Sequence, residues 1–458
     1  MTPHVPALSR GEWTAIAVAV ALGHAFFWRT VLYPSAFDAA EYLAIAADMA
    51  RSGVLGDFRN SRIRTYGYPL FLLAQREFAE TLRLPWAYVV FVAQIALHLG
   101  AAAMLRHAIA PHSTRVARIA LVAVAANPLA LVYTAETLTE SLSLSLLVLA
   151  AAAYVAAWRA GPTRLAAIAL GSLALGAAVV VRPANVFALP AWGVALGALA
   201  LWQRPRAVPL AAGTIVALAF AALPMLPQLA NNVRHHGAWT PLVANPLARD
   251  QQAWGIAYLK YATALPPVPS ASVVYLSPFA QGRPVDPERP LEWYARYPPA
   301  GAATVALHAF GMLDPDLVFT YARDLDPWYR RPAGVLAHGV IALALVGFVL
   351  LAGCARRDVR ARVVVAALAG VAACHLGLHA VTAVEMRFGL PLLTLAGPLA
   401  AWTLASGWPR WRAPGRFALL AFVAVWIAGS LALSDWVRAQ SPQIRDWEMQ
   451  RIAAAARG

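Results

Sequence analysis

Charge is scarce in this sequence: aspartate, glutamate, lysine and arginine make up 13% of its 458 residues, against roughly 25% in an average soluble domain. Hydrophobic residues make up 60%, more apolar surface than a water-soluble core can absorb. Only two cysteines occur, Cys354 and Cys374, which excludes a disulfide framework. Internal repeats and low-complexity tracts are lacking, and no soluble domain longer than about 100 residues remains between the apolar runs. Basic stretches interleaved with aromatics, as single-stranded nucleic acid would require, are also missing. No nucleic-acid partner is therefore expected, despite a formal net charge of +15.

What is present is a series of apolar runs of about 18 residues or more, the length read as a bilayer-spanning helix. They fall approximately at 13–32, 85–105, 116–134, 139–158, 164–181, 185–202, 208–229, 333–353, 363–381, 388–405 and 417–434. At about 1.5 Å per residue each covers about 30 Å of hydrocarbon. The pattern predicts an all-α polytopic membrane protein with about eleven transmembrane helices. The first run is too long for a signal-peptide apolar segment and reads as a retained helix.

Arginines cluster in alternate short gaps: Arg106, Arg115 and Arg118; Arg159 and Arg164; Arg204 and Arg206; Arg356, Arg357, Arg360 and Arg362; Arg410, Arg412 and Arg416. This positive-inside pattern makes those gaps cytoplasmic, and Arg10 places the N-terminus there too. An odd count puts the C-terminus outside. The expected organisation is a membrane module at 1–232 whose first outer loop, 33–85, carries the function; a long outer loop with short helices at 233–332, rich in proline, tryptophan and tyrosine; and C-terminal transmembrane helices at 333–458. Loops of this length commonly carry function, and aromatic residues suit the headgroup level.

Within the first outer loop, residues 38–53 have helical spacing, with Tyr42, Ile45, Ala46 and Met49 on one stripe and Gly53 as a stop. This predicts a short helix along the membrane surface. Asp38 at its start reads either as a first-turn carboxylate favoured by the helix dipole or as a general base. Arg59, Arg62 and Arg64 follow. They suit either a polyprenyl phosphate, which needs charge-assisted donors, or anionic lipid in general.

Glu140, with Glu136 one turn earlier, reads as a solvated loop carboxylate or as a ligand for sugar hydroxyls or for an arginine. Cytoplasmic bias does not explain Arg182 or Arg387, on the outer side. Each reads as headgroup snorkelling or as the partner of an anion, a carboxylate or a lipid phosphate. His375 and His379, four apart on one helix, have no firm third ligand and read as a satisfied pair, so no metal is expected. His235 and His236 carry no signal alone.

In order and spacing these segments resemble the C-type (GT-C) glycosyltransferases, particularly the branch of bacterial aminoarabinose transferases and protein O-mannosyltransferases. The resemblance rests on Asp38, Tyr42, Ser52 and Gly53; Tyr66-Gly67-Tyr68-Pro69; Thr139 and Glu140; Arg182 and Pro183; Asn232 and Gly237; and Arg387, Phe388 and Pro391. It implies a GT-C-like bundle carrying surface helices over a periplasmic cavity, a sugar donor on a polyprenyl phosphate, and Asp38 as the catalytic residue. The implied substrate contacts are Glu41, Tyr42, Arg59, Arg62, Arg64, Tyr66, Tyr68, Glu140, Arg182, Arg234 and Arg387. It also implies the inner membrane of a bacterium, an active site on the periplasmic face, an acceptor that is a glycan, lipid or protein, and no cofactor.

Relatives often have two adjacent acids at the first position, whereas here Ala39 follows Asp38 and the next acid is Glu41. Asn231 stands where an arginine is expected, with Arg234 nearby, and a large C-terminal periplasmic domain is not expected. Two further readings stay open: a lipid-linked-sugar flippase or small-molecule transporter, and an inactive scaffold.

Overall fold

Backbone groups in hydrocarbon must pair within their own segment, so long apolar runs close into helices. A computed structural model describes residues 7–30, 38–58, 60–158, 163–202, 210–263, 272–318, 325–406 and 411–442. The chain divides into two compact units, Met1–Asn245 with Val349–Cys374, and Pro246–Phe348 with His375–Gly458.

In chain order the first unit holds α1 (Arg10–Thr30), α2 (Asp38–Ser52), α3 (Gly67–Leu82), α4 (Trp86–Ile109), α5 (Thr114–Ala125), α6 (Pro128–Thr134), α7 (Thr139–Ala156) and α8 (Thr163–Val181). A 3-10 turn, Pro183–Phe187, leads into α9 (Ala188–Trp202), followed by α10 (Leu210–Ala222) and α11 (Leu226–His236). The second unit begins with α12 (Leu247–Ala257), strands β1 (Tyr258–Thr263) and β2 (Ser272–Leu276), α13 (Glu292–Arg296) and α14 (Pro298–Leu313). The unit boundaries fall inside α15 (Arg330–Ala355) and α16 (Val359–His379), and α17 (Leu390–Ser406) and α18 (Ala413–Arg438) complete the chain.

Among the described residues, nine helical segments are long and apolar enough to cross a bilayer: Trp86–Ile109, Thr139–Ala156, Arg164–Val181, Pro183–Leu201, Ala212–His236, Arg330–Ala355, Val359–His379, Met386–Ala405 and Ala413–Arg438. The chain is an all-α polytopic membrane protein. The run expected at 116–134 is instead two helices, α5 and α6, bent by 50°. Proline has no N–H to continue the ladder at position 128, and the Asn127 side chain accepts from the N–H groups of Leu129 and Ala130 to start α6. Taken as one span, the pair makes a tenth. Helix α1, which carries Glu12 in its first turn and His24 within its apolar stretch, falls outside the set.

Local chemistry sets the ends that matter. Ser9 and Glu12 form a reciprocal cap on α1, the serine hydroxyl and N–H donating to the carboxylate at 2.8 and 2.7 Å. Glu12 then accepts from Arg106 of α4 at 2.7 Å. Helix α2 stops where Gly53 turns left-handed at φ +76°, and it buries Tyr42, Ile45, Ala46 and Met49, the expected stripe. Ile45 and Met49 pack with Phe58, Tyr66 and Val180. The antiparallel β1/β2 hairpin, absent from the sequence expectation, has its register interrupted between Tyr258 and Lys260.

Candidate functional site

Asp38 opens α2 and Glu41 lies one helical turn on, so both carboxylates share a face. Arg64, in the loop before α3, reaches both. Its Nη2 donates to Asp38 Oδ1 at 2.7 Å and its Nε to Glu41 Oε2 at 2.7 Å. Nη1 donates to the Tyr42 hydroxyl at 3.3 Å, and the guanidinium carbon stands 5.0 Å from the Tyr42 ring centre. Asn60 donates to the other Glu41 oxygen. Burial disfavours the Arg64 charge, but Tyr42, Asp38 and Glu41 outweigh it and hold the guanidinium pKa above its ordinary value. Asp38 keeps a side-chain exposure of 29%.

From this centre contacts run inward. Tyr42 meets Tyr68 edge-on, ring centres 5.2 Å apart, and the Tyr68 hydroxyl donates to Gln94 of α4 at 3.3 Å. The Gln94 amide donates to the carbonyls of Thr134 and Glu136, at 3.0 and 2.9 Å. These carbonyls belong to the turn leading to Thr139 and Glu140. Glu140, fully buried, forms a salt bridge with Arg182, which also donates to the Thr139 hydroxyl at 3.3 Å. The chain itself thus supplies Arg182 with a carboxylate.

The remaining expected residues divide. Arg62 and Arg234 are exposed. The two segments that carry them are tied together: the Arg62 carbonyl accepts from the N–H groups of Ala244 and Asn245 at 2.8 and 3.1 Å, and Ser61 hydrogen-bonds His236 at 2.7 Å. Tyr66 is buried, its hydroxyl donating to the Pro224 carbonyl at 2.6 Å, and burial raises its pKa. Asn232 donates to the carbonyls of Thr240 and Leu242, both at 2.6 Å, organising the chain after α11, which Gly237 ends at φ +63°. Asn231 donates to the Gly56 carbonyl at 2.8 Å. Arg59 lies outside the described residues.

Arg387 belongs to the second unit, where it is paired with Glu385, which also accepts from Thr263 at 3.3 Å. His375 and His379 are in contact, their rings tilted by 53° with centres 4.6 Å apart. Among the described residues no three histidine, cysteine, aspartate or glutamate side chains are grouped to hold a metal ion.

Sequence reasoning missed a buried ionic cluster in the second unit. Lys260 of β1 is paired with Asp316 and donates to the Asp314 carbonyl at 2.8 Å. Tyr275 donates to Asp316 at 3.1 Å, and Ser434 of α18 to Asp314 at 2.8 Å. Burial disfavours the lysine charge, but Asp316 and Asp314 more than compensate and raise its pKa. The signal was available, because Lys260 is the only lysine in the sequence. It missed Asn60 and Gln94 as well, neutral residues with no motif to mark them.

No protein-family model, curated protein or solved structure matches this chain.

Proposed function

We propose that the chain is a membrane glycosyltransferase that moves a sugar from a polyprenyl-phosphate donor to a hydroxyl or amine acceptor at the outer face of a bacterial cytoplasmic membrane. One observation carries the reading: Asp38, in the open first turn of α2, is held by Arg64 beside a second carboxylate that Asn60 and Arg64 together fix. A general base needs a carboxylate that an acceptor can reach in a fixed orientation, and Asp38 meets that description.

In the transfer, Asp38 takes the acceptor's proton as the acceptor atom bonds to the anomeric carbon. The bond from that carbon to the phosphate oxygen breaks, its electron pair leaving on the polyprenyl phosphate, with inversion at the sugar. Arg64, Arg182 and Arg387 are each committed to carboxylates. The donor phosphate is therefore assigned to exposed Arg62 and Arg234, and the sugar to the open Asp38 end of α2, which buried Tyr68 and Glu140 support from behind.

The topology proposed with it has eleven crossings: the nine apolar segments, the bent α5/α6 pair and α1. Helix α1 is 21 residues long, about 31 Å, and exposes Trp13 and Trp28 near its two ends, as a span with an aromatic belt at each interface does. The gaps rich in arginine face the cytoplasm, and α2 and α3 lie at the periplasmic surface. The broken α5/α6 helix favours a second reading, a transporter.

Mass spectrometry of envelope glycolipids, glycans and proteins from cells with and without the chain tests the assignment. A sugar lost on deletion should return with the wild-type chain and not with Asp38→Asn. Restoration by Asp38→Asn would refute the base, and unchanged envelope sugars would remove the enzyme. Movement of an unmodified lipid-linked sugar across vesicles would favour the transporter.

A further inference from the structure

Two arginines at the arginine-rich end of the first unit are almost fully buried, Arg106 and Arg164. Arg106, in the last turn of α4, is answered by the chain: Nε donates to Glu12 at 2.7 Å and Nη2 to the Ala7 carbonyl at 3.2 Å. Arg164, the second residue of α8, is answered only in part. Its Nε donates to the carbonyl of Ala157 at the end of α7, at 3.0 Å. Its Nη2 is buried without a hydrogen-bond partner, and among the described residues no carboxylate pairs with it. A guanidinium nitrogen buried without an acceptor is unfavourable, and at the edge of a membrane span it points to an anion.

Two further features specify which anion. Arg164 lies in the first turn of α8, where the helix dipole and the first N–H groups favour negative charge. The same end carries aromatic side chains: Trp158 follows the Ala157 carbonyl that Arg164 holds, with Tyr154 edge-on to it at 5.9 Å and His112 at 5.7 Å. Aromatic residues beside a span mark headgroup depth, and Arg164 opens the segment Arg164–Val181 that is apolar enough to cross.

We infer that Arg164 and the N-terminus of α8 form a binding site for the phosphate of an anionic phospholipid headgroup. The guanidinium Nη2 and first-turn N–H groups donate to the phosphodiester oxygens, and the acyl chains lie along the apolar surface of the helices. Basic sites of this kind between transmembrane helices recognise acidic headgroups. This assignment needs only that the chain spans a membrane and is independent of the proposed enzyme chemistry.

Native mass spectrometry of the full chain in detergent, titrated with phosphatidylglycerol or phosphatidylcholine, tests it. Wild type should hold phosphatidylglycerol about tenfold more tightly, the scale of one charge-assisted contact. Arg164→Gln should lose that preference, while Arg164→Lys retains part of it. Arg357→Gln, at an exposed arginine between α15 and α16, should keep it in full.

Equal binding of phosphatidylglycerol to wild type and Arg164→Gln would overturn the site. So would equal losses in Arg164→Gln and Arg357→Gln, which would mean unspecific surface charge. Displacement of the lipid by inorganic phosphate would overturn the lipid assignment in favour of free phosphate. Should Arg164→Gln fail to fold, thermal unfolding of wild type and Arg164→Lys decides. Both should be stabilised by phosphatidylglycerol over phosphatidylcholine, and no difference between the two lipids would overturn the proposal.

Discussion

Glu140, the second residue of α7, is paired with Arg182 just past the end of α8, its side chain 1% exposed against 13% for the arginine. Removing the arginine strips a buried carboxylate of its counter-charge, a change that costs about 3–5 kcal/mol where a buried pair is broken from one side. Arg182→Gln should therefore lower the thermal midpoint in detergent clearly. Glu140→Gln combined with Arg182→Gln should recover most of the loss, because two neutral amides need no counter-charge. A single variant that melts like wild type would show that the pair contributes little.

Arg64 bridges Asp38 and Glu41, its Nη2 in reach of both carboxylates and its Nε donating to Glu41. Asp38→Asn should abolish the proposed transfer. Glu41→Gln should only loosen Arg64 and slow transfer about 10- to 100-fold, the scale of a misplaced catalytic group. Arg64→Lys should resemble Arg64→Gln, since a single ammonium cannot reproduce the planar fork that spans both acids. Initial rates on membranes would separate these outcomes. A Glu41→Gln variant as inactive as Asp38→Asn would give Glu41 a direct part in the chemistry.

Much of the bundle could be read from sequence because hydropathy is a local property. Helix α2 was legible down to its ends, since Asp38 favours a helix start and Gly53 takes the left-handed stop. The break at Asn127-Pro128 was hidden because α5 and α6 are both apolar, and an apolar window does not register a missing N–H. The pairings were beyond reach for another reason. Arg64 and Asp38 are 26 residues apart, Arg182 and Glu140 are 42, and Lys260 and Asp316 are 56. A lone arginine announces that it needs an anion, but not whether the chain or a ligand supplies it. The β1/β2 hairpin was overlooked inside a loop whose proline and aromatic content dominated its reading.

Gly67 starts α3 directly against the end of α8. A Cβ there would stand 2.5 Å from the Val180 carbonyl oxygen, a backbone atom that cannot swing aside. Gly67→Ala should cost about 1–3 kcal/mol, the range for overpacking. Because Tyr66 and Tyr68 flank it, the same variant should disturb the Tyr68 contact with Gln94. Gly100, with nothing within 4 Å of its added Cβ, is the control: Gly100→Ala should melt at or above the wild-type midpoint. Thermal unfolding of both variants side by side checks the contrast.

The Lys260 cluster fixes how the second unit responds to pH. Asp314 is pushed up by burial, but Lys260, His338 and Ser434 pull it further down, so its pKa lies below the ordinary 3.8. A depressed carboxylate contributes stability that is present above 3.8 and lost as pH falls through its folded value. Lys260 is shifted the other way, above its ordinary 10.5, so its contribution is complete below 10.5 and lost as pH rises through the folded value. Across the neutral range neither Asp314 nor Lys260 titrates, so the contribution of these two groups falls only in strong acid or strong base. Lys260→Met leaves Asp314 and Asp316 buried without the lysine charge and should cost about 3–5 kcal/mol at neutral pH. In that variant Asp314 loses its main favourable charge, so the acid transition should begin at higher pH than in wild type. Unfolding midpoints of both chains as a function of pH test this, and parallel acid limbs would show that Lys260 does not hold Asp314 ionised.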